Sequence, residues 1–100
     1  MTTPTEPPRK ARARDLFFFT HPEHWPTWPF LPVVRRHADG AMDYGVLYDA
    51  MHRTGRTGFS STVFLTNIFL MPQNEAEFLA LPKEVFDCAE EMAEAGWRVD

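Results

Sequence analysis

Proline placement constrains this chain more than any other feature. Four of its nine prolines fall between Pro22 and Pro32, in the stretch HPEHWPTWPFLP. Each fixes its own φ, and each biases the residue before it toward extended geometry. No helix can run through this stretch, and its two tryptophans need cover, so it reads as an ordered, extended loop packed by Trp25, Trp28 and Phe30. Three further prolines lie in residues 1–14, MTTPTEPPRKARAR, which hold no bulky apolar residue beyond Met1. That segment reads as a flexible, basic, Pro-rich arm, with a single domain over 15–100.

Between these breaks the apolar pattern names the elements. Leu16-Phe17-Phe18-Phe19 is a short aromatic run suited to a buried strand. Val33 to Arg36 and Tyr44 to Tyr48 read as two strands joined through the turn-forming pair Asp39-Gly40. The link is too short for a parallel crossover, so the pair is antiparallel. TVFLTNIFL, Thr62 to Leu70, is apolar on both faces and reads as the central strand of the sheet.

Pro72 closes that run, and Asn74-Glu75-Ala76-Glu77 has the form of a capping box that opens a helix over Glu75 to Leu81, ended near Pro82. Val85-Phe86 reads as extended. A second helix starts at Asp87 and stops at Gly96, with Cys88, Met92 and Ala95 on one face and Glu90, Glu91 and Glu94 mostly on the other. Trp97 to Val99 can add an edge strand. The fold class is α+β: a small antiparallel sheet of three to five strands, with two short C-terminal helices packed on one face. The other face needs the Trp25/Trp28 loop or a second subunit.

Composition narrows the function classes. The single Cys88 cannot form an internal disulfide, which disfavours an oxidising compartment for a domain of 100 residues. No apolar run approaches a membrane span, and no secretory h-region is evident, so the expected location is the cytoplasm. Arginine outnumbers lysine eight to two, which points to a GC-rich, bacterial-type genome. Residues 1–61 carry eight basic and six acidic residues, whereas 62–100 carry two and eight. Only the first part could attract nucleic acid; Arg9, Lys10, Arg12 and Arg14 beside Phe17 offer that option as a second alternative.

Four side-chain clusters bear on chemistry. His21 and His24, with Glu23 between them and with His37 and His52 elsewhere, lack cysteine partners, so no metal site and no cofactor is expected. Cys88 reads as a small buried hydrophobe rather than a nucleophile, because Asp87 and Glu90 oppose thiolate formation and no histidine is near in sequence. The loop MHRTGRTGFSST places His52, Arg53, Arg56 and Ser60 among glycines, which suits an anionic ligand or substrate. Finally, 14 aromatic residues are more than so short a chain can bury. The leading expectation is therefore a non-enzymatic protein-binding module. It acts through an exposed aromatic surface, at Trp25, Trp28 and Phe30, on another protein or on itself. An enzyme or ligand-binding domain built on the His52/Arg53/Arg56 loop is the alternative, and no catalytic residue is assigned.

Overall fold

The computed structural model describes residues 9–49 and 61–100. Its first element is a helix, α1 (Arg9–Thr20), so the boundary expected at residue 14 falls inside a helix. The strand expected for Leu16 to Phe19 is helical as well. Residues 9–16 are mostly strong helix formers, no turn residue interrupts them, and propagation through Phe17 to Phe19 is easier than starting a new element. Burial follows the helical period: Asp15 and Phe19 face inward and Phe17 faces out. The helix stops before His21-Pro22, where the residue ahead of proline avoids helical geometry.

The proline-rich loop is ordered as expected, but it is built of turns rather than extended. Pro22–His24 forms one 3₁₀ turn, the Trp25 indole donates to the Phe18 carbonyl at 2.6 Å, and the Trp28-Pro29 peptide is cis. Strand β1 (Phe30–Arg36) then starts earlier than the sequence suggests and passes through Pro32. The Pro32 carbonyl accepts from Asp100, which places the missing N–H on the side away from the next strand, so the pairing with that strand is kept. The hairpin turn carries Gly40 at φ +91°, with the Ala41 amide bonded to Asp39 Oδ1, and leads into β2 (Met42–Tyr48).

The run TVFLTNIFL does not form the central strand. Only β3 (Thr62–Phe64) is extended; Asn67 then accepts from the Phe69 amide at 2.9 Å and caps a 3₁₀ turn over Ile68–Leu70. A side chain that offers the backbone a local bond competes with the ladder, and here it holds the chain in a turn beyond the end of β3. Helix α2 (Glu75–Leu79) is shorter than expected but opens on the expected cap, Asn74 Oδ1 accepting from Glu77 at 2.8 Å. β4 (Lys83–Val85), α3 (Ala89–Glu94) and β5 (Trp97–Val99) complete the chain. Cys88, not Asp87, is the cap residue of α3, and Gly96 at φ +99° ends it.

All pairings are antiparallel and the order is β4-β3-β2-β1-β5, so β2 is central. Alternation along β2 separates two apolar layers. Leu47 joins Phe19, Trp25, Leu31, Val33, Val63, Ala89, Met92 and Trp97 on one face, under α1 and α3. Val46 and Tyr48 join Phe64 and Phe78 on the other, under α2. The two C-terminal helices thus pack on opposite faces, and α3 pairs with α1 instead. Trp25 covers the same face as α1 and α3, not the opposite one.

Candidate binding surface

The residues singled out from the sequence do not share one surface. Trp25 is buried in the first apolar layer. Trp28 is 41% exposed, yet its indole N–H donates to Asp49 Oδ2 at 2.8 Å across the start of β1. Phe30 packs in the second layer, stacked 5.2 Å from Tyr48 and edge-on to Phe78 at 5.4 Å. His52, Arg53, Arg56 and Ser60 lie outside the described residues. His21 Nδ1 donates to the Phe17 carbonyl at 2.8 Å while its ring stacks on Phe17, and His24 sits beside them. Among the described residues no three His, Cys, Asp or Glu side chains converge as metal ligands, and no helix is long and apolar enough to cross a membrane.

One ionic cluster was not evident from the sequence. Arg35, which shares its face of β1 with Val33, forks onto Glu84 through Nη1 (2.9 Å) and Nη2 (2.7 Å), and binds Asp43 Oδ2 through Nε and Nη2. His37 Nε2 meets the same Asp43 oxygen at 2.7 Å. The guanidinium lies 4.5 Å above the Trp97 ring, whose N–H points at Glu84. Bonds from Arg35 hold the carboxyls of both Glu84 and Asp43 below their ordinary range, with His37 adding to the effect at Asp43. Arg35 thereby commits both arms of its fork within the protein, and the cluster clamps β1, β2, β4 and β5 together rather than presenting a free cation to a ligand.

Among the described residues the two most exposed large hydrophobic side chains lie elsewhere, on the α2 face. In the capped turn, Ile68 and the following Met71 pack onto the second layer, which turns Phe69 and Leu70 outward at 89% and 76% exposure. They form a ridge between two depressions. On one side is a groove of about 440 Å³ lined by Leu70, Tyr44, Met42, Leu65, Thr66 and Asn67, and bordered by Arg35 and Asp43. On the other is a recess of about 330 Å³ walled by Pro29, Phe30, Tyr48, Phe78, Met71 and Pro72, with Gln73, Asn74 and Glu75 at its polar side. The Tyr48 hydroxyl donates to Glu75 Oε2.

Sequence reading missed this ridge because Phe69 and Leu70 end an apolar run that passes for a strand. The signal was Asn67, a capping residue inside that run. Arg35 could have been found from parity, since a charged residue in step with Val33 on an inward-facing strand needs a buried-side partner. Comparison of the chain with protein-family models, with curated proteins and with solved structures gives no match.

Proposed function

We propose that the chain is a protein-binding module that docks another protein through the Phe69-Leu70 ridge and its flanking depressions. The observation that carries this reading is the exposure of two adjacent large apolar side chains on a turn that its own cap holds in place. Soluble proteins scatter single exposed hydrophobics freely, but a contiguous patch held in fixed geometry marks an interaction site. Preorganisation lowers the ordering penalty of association, and aromatic anchors beside recesses are where binding energy concentrates. The expected contact thus moves from Trp25, Trp28 and Phe30 to Phe69, Leu70 and Tyr44, with Phe30 kept as a wall of the recess.

The test compares the wild-type chain with a Phe69→Ser/Leu70→Ser double variant of unchanged near-UV circular dichroism, each immobilised in a lysate of the source cells. A partner retained by the wild type and lost from the variant is the expected result. Identical retention by both, with a strict monomer in sedimentation equilibrium, would overturn the reading. A dimer abolished by the double variant would make the partner a second copy.

A further inference from the structure

We propose that the partner meets the ridge with an extended acidic segment, which places an apolar side chain in the groove between Leu70 and Tyr44 and carboxylates over Arg36 and Arg98. This rests on the reading of the ridge as the docking surface, and it names the chemistry of what docks there. The sheet supplies the track. Met42 and Tyr44, which line the groove with Leu70, are paired with Arg36 and Val34 on β1, and Val34 is paired in turn with Arg98 on β5. Side chains alternate along a strand. Met42 and Tyr44 are in step with Val46 and Tyr48, while Arg36 and Arg98 are out of step with Val33 and Trp97, so all four lie on the α2 face. Neighbouring strands run about 4.8 Å apart, which sets Arg98 roughly 10 Å from Tyr44 along one row.

The charges on this row select the occupant. Arg36 is exposed and Arg98 partly so, and among the described residues neither guanidinium makes a hydrogen bond or an ion pair. Arg35 differs, its fork being taken up on the opposite face by Glu84 and Asp43. The acids nearby are otherwise placed. Asp39 bonds the Ala41 amide in the hairpin turn, Asp100 lies two positions beyond Arg98, and the buried Asp15 feels the charge of Arg98 while accepting from the Val99 amide. Two uncommitted guanidiniums beside an exposed tyrosine, in a chain of net charge −4, complement a ligand carrying carboxylates. A nucleic-acid strand would offer phosphates but no aliphatic group for the Leu70 side of the groove, and the acidic residues of 62–100 repel a polyanion. In an extended peptide every second side chain shares a face, at about 6.6 Å per step. An apolar residue followed by acids two and four positions later therefore spans the row from the groove to Arg98.

The probe is the peptide acetyl-Leu-Ser-Glu-Ser-Glu-amide, with the glutamine-for-glutamate peptide as its uncharged match and an octathymidylate as the nucleic-acid arm, each titrated at low salt into the full ¹⁵N-labelled chain. The glutamate peptide should give saturable amide shifts at Val34, Arg36, Tyr44, Arg98 and Leu70, with the glutamine peptide about fivefold weaker. An Arg36→Gln/Arg98→Gln double variant should bring the glutamate peptide down to the level of the glutamine peptide. Its unchanged binding of the glutamine peptide serves as the control for folding. The Phe69→Ser/Leu70→Ser variant should weaken both peptides by the same factor. Equal binding of the two peptides by the wild type, indifference of the glutamate peptide to the arginine variant, or shifts centred elsewhere would overturn the inference while the ridge stands. Tighter binding of octathymidylate at the same residues would overturn it in favour of a nucleic acid. Peptides that distinguish the arginine variant but ignore the ridge variant would overturn the ridge as the anchor.

Discussion

The Trp97 indole lies across the bare Cα of Gly45. A Cβ at position 45 would stand 3.2 Å from both Cη2 and Cζ3 of the ring, and closer still to Val63 Cγ1. Glycine at the middle of the central strand is therefore a packing requirement: it lets a fully buried tryptophan span from β5 over β2 toward Glu84. Gly45→Ala should destabilise the fold by about 2 kcal/mol through overpacking, lowering the melting temperature by roughly 10 °C. Thermal unfolding followed by Trp fluorescence measures this directly.

Arg35 should be sensitive to shape as well as charge. Arg35→Lys keeps the charge but cannot reproduce a fork on Glu84 together with contacts to Asp43, and should lower stability by about 1 kcal/mol. Arg35→Met leaves both carboxylates without their guanidinium and should lower it by about 2 kcal/mol. In urea unfolding, a double-mutant cycle with Glu84→Gln should return a coupling clearly different from zero.

Acid should act on this cluster with a definite sign. Asp43 and Glu84 have folded-state pKa values below their ordinary ones, so their stabilisation is complete above the unfolded values and is lost as pH falls through the folded values. Asp15 behaves oppositely. Burial raises its pKa despite the Val99 amide at 3.3 Å and the nearby Arg14 and Arg98, so its contribution is full below the unfolded value and declines as pH rises through the raised folded value. Denaturant titrations between pH 3 and pH 7, in the range where carboxylates titrate, should show Arg35→Met with a shallower acid loss than wild type. Asp15→Asn should show a steeper one.

Helix α2 spans only Glu75–Leu79, so its cap carries an unusual share of its definition. Asn74→Ala should cost about 1 kcal/mol and loosen Phe78 from the second layer. Amide exchange at Glu77 and Phe78 should rise more than at Leu47. Equal increases at all three would indicate a purely global effect.

Phe69 and Leu70 should be neutral for folding. At 89% and 76% exposure they give up almost nothing on substitution, so the double serine variant should melt within about 2 °C of wild type. A larger drop would place them in the core.

The sequence by itself determined the elements whose signals are local. Asp39-Gly40 turns the β1/β2 hairpin, Asn74 caps α2, Gly96 ends α3 and Trp97–Val99 is extended, because turn and cap residues act through bonds within a few positions of themselves. The α+β class with an antiparallel sheet followed from the same marks. Tertiary structure decided what local preference leaves degenerate. Phe17 to Phe19 suit a strand by propensity but continue a helix, and Phe69-Leu70 continue an apolar run but face solvent. The faces chosen by α2 and α3, and the meeting of Arg35 with Glu84 across the sheet, depend on the order of strands. That order is set by which apolar surfaces bury one another over long sequence separations, and short-range pattern carries no record of it.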